Sequence, residues 1–469
     1  MTKLRRVLLL SGALTLAGAW IAGCSSNSTS TTTSSPSGPG STNGPPQTLT
    51  VAYWANFDTP GTNATPDLIK AAASELAKAH PGDKVVLDPI TTDSESTYYA
   101  KIDLAERSRS TAPDVVMEDS FLIGSDASAG YIRPLPQLKT WPGWSEFPAA
   151  MQNIVTYDGQ IYGVMNSTDV QLIYYDANLF RQAGIAVPWQ PHNFNDIVAA
   201  AQALKAHDAG ITPAWLYAGL PLGEASSFRG FEVFLDGTND RIYDNSTKKW
   251  EVSGPGFTAT WNFLAAMRPY VEPESDWSNP NASATVNITL MPEQKVGMVV
   301  DGSWVSTFYV KGGPKPIPNF LSTYLVAKVP TDNLAAPYTD QSGGFAWSVG
   351  EQSANPALAV ELIEDLSTAP NIAEFDAKDG NLPPRTDALT QPQWAQENRL
   401  DPILTFSSEL LAFTNFRPNL PAYPQISNEI ATLTGDIDTG SMTAAQAEQA
   451  YAAKVTQIVG AGNVEAMTS

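Results

Sequence analysis

The chain has 469 residues, with 48 Asp and Glu against 27 Lys and Arg, a formal net charge of -21, one cysteine and three histidines. One cysteine excludes an internal disulfide and a cysteine-rich zinc or iron–sulfur site, three histidines leave little for a histidine metal centre, and the acid excess opposes phosphate-backbone binding; no metal, cofactor or nucleic-acid partner is expected. At 43% hydrophobic and 16% charged the chain is globular, with length for two or three domains' worth of core.

Lys3, Arg5 and Arg6 precede an apolar run from Val7 to Ile21 that has the length of a secretory signal and is short for a stable membrane span. The run ends in Ile21-Ala22-Gly23-Cys24, which resembles a bacterial lipobox, so residues 1–23 read as a lipoprotein signal peptide and Cys24 as the lipid attachment site. An ordinary signal peptide with a chance cysteine is the competing reading, and Arg5-Arg6 leaves Sec and twin-arginine export both open. Residues 24–47 are almost entirely Ser, Thr, Gly, Pro and Asn and cannot bury surface to offset ordering entropy; they read as a tether.

The folded body begins near Leu49. Thr48–Trp54 reads as a strand, Thr65 to His80 as a helix, Lys84–Leu87 as a second strand, Tyr98–Ser108 as a helix, and Pro113–Met117 as a third strand followed at once by Glu118-Asp119-Ser120. This alternation implies an open parallel α/β sheet, in which ligands bind past the carboxyl ends of the strands, where Trp54, Asn56, Asp119 and Ser120 stand. Asp158-Gly159 predicts a hairpin turn between two short strands, Val170–Asp176 a strand, Asn178–Gly184 a short helix, and Asn193 to Lys205 a longer one. Val296–Val300 is a strand running into Asp301-Gly302-Ser303-Trp304, Gly343–Val349 another, Asn355-Pro356 opens an amphipathic helix to Leu366, and Met442 to Val459 reads as helix.

These blocks, in this order, resemble the family 1 extracellular solute-binding proteins, the carbohydrate-type receptors of ABC importers. The resemblance is carried by Tyr157 to Met165, by Tyr175-Asp176-Ala177-Asn178-Leu179-Phe180-Arg181-Gln182-Ala183-Gly184, by Gly297-Met298-Val299-Val300-Asp301-Gly302-Ser303-Trp304, by Gly343-Gly344, by Asn355-Pro356-Ala357-Leu358-Ala359 and by Pro383-Pro384-Arg385. Asp176 and Met165 depart from the usual asparagine and proline, and residues 211–280 match no motif of the family.

The resemblance implies a two-lobed, type II periplasmic-binding-protein-like α/β fold, two open sheets joined by a hinge with the ligand cleft between. It places lobe 1 at 48–165 plus 343–388 and lobe 2 at 166–342 plus 389–469. It further implies a monomeric, non-enzymatic receptor, exported and held to the outer face of the cell membrane through Cys24, passing a sugar or other small polar solute to the transmembrane subunits of an ABC permease. Such a cleft needs aromatic faces for sugar rings and carboxylates or amides for hydroxyls. The expected ligand-binding residues are therefore Trp54, Asn56, Asp119, Ser120, Asn166, Asp169, Trp215, Asp301, Trp304, Gly344, Phe345 and Tyr423. Each has a bland alternative: core packing for Trp54, Trp215 and Trp304, capping for Asp119, turn chemistry for Asn166 and Asp169, a hinge for Gly344. A polyol, glycerol-phosphate derivative or osmolyte is the second ligand class, with phosphate disfavoured by the scarcity of arginines at predicted strand ends. A secreted glycoside hydrolase is a remote third reading, because no nucleophile-elbow, zinc-protease or phosphate-loop pattern is present.

Overall fold

A computed structural model describes residues 45–467 except 93, 280 and 311; Cys24, the signal peptide and most of the tether lie outside the described residues. Pro46–Ser469 forms one compact unit. The first elements are β1 (Thr48–Trp54), α1 (Ala64–Ala79), β2 (Lys84–Ile90), α2 (Glu95–Glu106) and β3 (Val115–Asp119). Helix α1 buries Leu68, Ile69, Ala72 and Leu76 along one face, and the chain then turns through Gly82 at φ 106°. Helix α2 starts earlier than the apolar pattern indicates, because the Ser94 side chain accepts the Thr97 N–H and caps it.

The chain continues through β4 (Gly163–Met165), β5 (Gln171–Asp176), α3 (Phe194–His207), β6 (Thr212–Trp215), α4 (Pro255–Met267), β7 (Val296–Gly302), β8 (Tyr324–Ala327), β9 (Tyr338–Ser342) and β10 (Phe345–Val349). It ends with α5 (Pro356–Leu366), α6 (Ala369–Asp379), β11 (Thr414–Phe416), α7 (Tyr423–Thr439) and α8 (Ala444–Val459). The predicted hairpin forms at Asp158-Gly159, both at positive φ as its turn type requires. The last helix carries a Thr443–Gln446 capping box.

Two sheets carry the lobes. The first has strand order β2-β1-β3-β10-β4 and the second β8-β5-β7-β6. The sequence suggests a parallel sheet, but the first sheet departs from this: β10 runs antiparallel to both neighbours, Phe345 facing Asp119 and Ala346 facing Met165. The reason is the crossing. A strand fed from the other lobe enters at the edge nearest that lobe and must run away from it. Strand β5 is the counterpart in the second sheet, antiparallel to both β7 and β8. The other strands of each sheet run parallel to one another, and Trp54 and Asp119 end β1 and β3 as Trp215 and Gly302 end β6 and β7. The crossing itself is a small sheet in which β9 pairs with Val329–Pro330 and, in parallel, with β11. Strands β3, β5, β7 and β10 are buried along their whole length, consistent with layers covering both faces. Among the described residues no helix is long and apolar enough to cross a membrane.

Candidate functional site

The ends of β3 and β7 supply the acidic groups between the lobes. Asp119, the last residue of β3, is 2% exposed and accepts hydrogen bonds from Tyr99 Oη at 2.8 Å and Arg417 Nη2 at 2.9 Å. Ser120 is wholly buried, donates its N–H to the Gly344 carbonyl at 3.0 Å, and lies 3.4 Å from the same guanidinium. Arg417 follows β11 and also pairs with Glu224, which begins a short helix, Glu224–Ser227, on the other lobe. Its guanidinium sits over Phe121 at 4.9 Å and Phe228 at 4.7 Å, so one arginine ties the two lobes through charge and through aromatic faces.

Asp301, in β7, forms the second centre. It accepts from Tyr217 Oη, from Asn287 Nδ2 at 2.8 Å, and lies 3.6 Å from Arg229 Nε. The Arg229 guanidinium lies 5.0 Å from the Tyr217 ring and 4.9 Å from the Trp304 ring. Trp304 is half-buried on a 3-10 turn, Ser303–Phe308. Burial pushes the Glu95 carboxyl up to about 8, with repulsion from Asp119 and Glu224 adding to it. Burial likewise raises Asp169 to about 6 against the pull of Arg417 and Arg229.

The remaining predicted residues fall into three groups. Asp169, Gly344 and Phe345 line the crossing: Asp169 accepts from Gln171 Nε2 at 3.0 Å and Gly343 N at 3.2 Å, and Phe345 packs edge-on against Phe57 at 4.7 Å. Gly344 has φ 127°, and a Cβ there would run into the Ser167 carbonyl, so both its backbone angle and its surroundings require glycine. Trp54 and Asn56 stand at the end of β1. Trp54 stacks on Tyr98 at 6.3 Å, while exposed Asn56 accepts the Thr92 N–H at 3.3 Å and links the loops after β1 and β2.

Trp215, Tyr423 and Asn166 turn inward instead of toward the space between the lobes. Trp215 is 0% exposed among Val299, Ala282 and Tyr217, because a residue at the end of a strand covered on both faces still points into one layer. Tyr423 is equally buried and donates to Glu232 at 2.7 Å, and Asn166 accepts the Trp347 indole N–H at 3.1 Å. Residues the sequence reading missed are Glu95, Tyr99, Arg229 and Arg417. The signal for Arg417 is its setting in Asn415-Phe416-Arg417-Pro418, a charge amid apolar and proline residues in a chain poor in cations. Nothing local marks the other three. The site therefore contains arginines after all, but each is already matched by carboxylates.

A separate cavity of about 670 Å3 opens beside the crossing sheet. It is lined by Asn153–Asp158 segments of one lobe, Glu232 to Lys248 of the other and Thr414–Leu420 beneath, and none of the predicted ligand residues reaches it. On the strand-end side the lobes touch directly: Thr59, after β1, lies 3.3 Å from Thr307 after β7, and donates to Asp379 at the end of α6.

Comparison with known proteins gives this geometry a context. A family model described as bacterial extracellular solute-binding protein matches residues 71–401, more than half of the chain. The ABC transporter extracellular-binding protein PH1214 of Pyrococcus horikoshii is 23% identical over 56% of this chain and 56% of its own length. The maltodextrin-binding protein MdxE of Bacillus subtilis is 21% identical over 70% of this chain and 73% of its own. Among solved structures, the GacH receptor of Streptomyces glaucescens superposes with a TM-score of 0.72 at 20% identity, covering 88% of this chain and 98% of that one. A solute-binding protein of Thermotoga lettingae bound with alpha-D-tagatose gives 0.69 at 22% identity, covering 88% and 99%. At these identities the structural likeness carries the two-lobed fold.

Proposed function

Because the chain belongs to the bacterial extracellular solute-binding proteins, we propose that it captures a sugar or oligosaccharide between its lobes and delivers it to the membrane-spanning subunits of an ABC importer. What supports this reading is that Asp119 and Glu224, one from each lobe, meet at Arg417, and that the half-buried Trp304 ring lies 4.9 Å from Arg229, the guanidinium beside Asp301. Carboxylates facing each other across a hinge can share the hydroxyls of one ring while an aromatic face takes its C–H side. Sugar-binding relatives such as MdxE support the same ligand class.

Lobe 1 is 48–165 with 343–388 and lobe 2 is 166–342 with 389–469, so closure bends the chain near 165–166, between β9 and β10, and near 388–389. The protein binds without turnover and acts as a monomer. It is exported, and Cys24 carries the lipid that holds it to the outer face of the cell membrane; Cys24→Ala would release it into the medium, and retention of the variant on membranes would refute the anchor. A neutral polyol is the second ligand class. A phosphate-bearing solute is disfavoured because Arg229 and Arg417 already face Asp301, Asp119 and Glu224.

The test is a thermal-shift screen against mono-, di- and oligosaccharides. A ligand that binds only the folded state raises the melting temperature by mass action, by about 2.7 kcal/mol of stability at a hundredfold excess over Kd. No shift with any sugar, or release of a cleaved product, would overturn the proposal.

A further inference from the structure

Tyr243–Asp244 and Lys249–Ser253 form a hairpin, and the C-terminal strand Val464–Ala466 joins it to make a three-stranded sheet with Lys249–Ser253 in the middle. The register sets Glu251 beside Glu465 on parallel strands and Asp244 across from Lys249, two residues before Glu251. Residues two apart on a strand share a face, so the three acids gather on one side of the sheet. One carboxylate oxygen from each of Asp244, Glu251 and Glu465 lies within 4.8 Å of the other two. Like charges on adjoining strands oppose the pairing that brings them together.

Glu251 is wholly buried, and its two oxygens differ. Oε2 accepts the Arg241 N–H at 2.7 Å, while Oε1 has no hydrogen-bond partner. Arg241 Nε stands 3.7 Å from Oε1, beyond hydrogen-bond distance, on a side chain that is 58% exposed. A pair held by so exposed a side chain contributes little, and it leaves a buried anionic oxygen without a donor. The cluster makes no other ion pair among the described residues. Asp244 and Glu465 are half-buried, so the group is reached from solvent.

The donors are all oxygens, with Thr247 Oγ1 alongside, bonded to Glu465 Oε1 at 2.5 Å. Carboxylates without histidine or cysteine select a hard cation. Three separate strands supply them, which suits calcium with its variable coordination better than magnesium, which demands a near-ideal octahedron. The scarcity of cysteine and histidine that excludes a zinc centre does not bear on a site made of oxygens.

We propose that Asp244, Glu251 and Glu465 bind one calcium ion, which fastens the strand Val464–Ala466 to the hairpin. Arg241 swings into water and yields its place beside Oε1 to the ion, and water completes the coordination. Three carboxylates in a partly open site correspond to a Kd of about 0.1–1 mM.

The test is calorimetric titration of calcium chloride into the full-length protein, freed of metal with EDTA, at constant ionic strength. The expected result is one site in that range, with magnesium about tenfold weaker. Glu465→Gln, on a half-buried side chain near the end of the chain, should weaken calcium by about tenfold while circular dichroism shows an unchanged fold; Glu251→Gln should weaken it likewise. Arg241→Gln should tighten calcium binding, because the cation competing for Oε1 is gone, an effect that a plain ion pair would not give. Terbium supplies a second readout. Excited through Trp250, which adjoins Glu251 and packs on Tyr243 at 5.0 Å, terbium should emit with the parent protein, lose its emission to added calcium, and stay dark with Glu465→Gln. Calcium bound no tighter than magnesium marks the diffuse attraction of an acidic chain and overturns the proposal. Binding that Glu465→Gln leaves unchanged, or the absence of both heat and terbium emission, overturns it too. None of these outcomes bears on the sugar-receptor reading, whose residues lie outside this cluster.

Discussion

Arg417 Nη2 lies 2.9 Å from Asp119 Oδ1, each side chain is 3% exposed, and the two residues are 298 positions apart in the chain. The pair is a buried charge contact that brings the segment after β11 onto the end of β3, and Glu224 completes it from the other lobe. Removing the cation alone leaves two carboxylates out of water without a partner. Arg417→Met should therefore lower stability by about 3–5 kcal/mol, read as a fall in denaturation midpoint, and Asp119→Asn in the same molecule should return part of that loss. A variant as stable as the parent would mean that the pair is not buried in solution.

Trp304 is half-buried under the Arg229 guanidinium, so its removal exposes no large core cavity. Trp304→Ala should weaken sugar binding by about 2–4 kcal/mol while the melting temperature without ligand changes little. Titration with the best sugar of the thermal screen measures this; an unchanged Kd would take Trp304 out of the site.

Stability should fall as the pH rises above the ordinary carboxylate range. Glu106 is 1% exposed, neither carboxyl oxygen has a hydrogen-bond partner, and burial lifts it to about 9; burial lifts neighbouring Asp126 to about 7. Both groups hold their protons more tightly in the folded than in the unfolded chain. Their contribution is thus fully present below the unfolded values near 4 and is lost as the pH climbs through 7 and then 9. Melting temperatures measured from pH 4 to 9 should decline, and Glu106→Gln should flatten the upper part of that slope. A rising profile would contradict the burial of the pair.

Gly344 links β9 to β10 at φ 127°, with the Ser167 carbonyl where a side chain would stand. Gly344→Ala should cost about 1–3 kcal/mol of stability through backbone strain and should also shift sugar affinity, since the strain falls on a segment that crosses between lobes. Loss of stability with unchanged affinity would separate this glycine from closure.

Local chemistry made much of the architecture readable. The Asp158-Gly159 turn, the Leu68–Leu76 helical stripe and the run of strand formers ending at Asp119 each carry their conformation in neighbouring residues. The reversed direction of β10 is different. Phe345–Val349 has the same strand composition whichever way it runs, and only the route of the chain through the crossing fixes its direction. Trp54 and Trp215 both end strands, yet one stacks at the edge of its lobe and the other lies wholly inside.

The sequence by itself determined the alternation of strands and helices and the order of motifs that places the chain in its family. It also placed Asp119 and Asp301 at strand ends, since strand length and register are short-range properties. Only the tertiary structure decided which acids meet a cation. Arg417 reaches Asp119 and Glu224, and Arg229 reaches Asp301. The strength of these charges depends on desolvation and on distances between residues set far apart in the chain, and neither quantity exists until the lobes have packed.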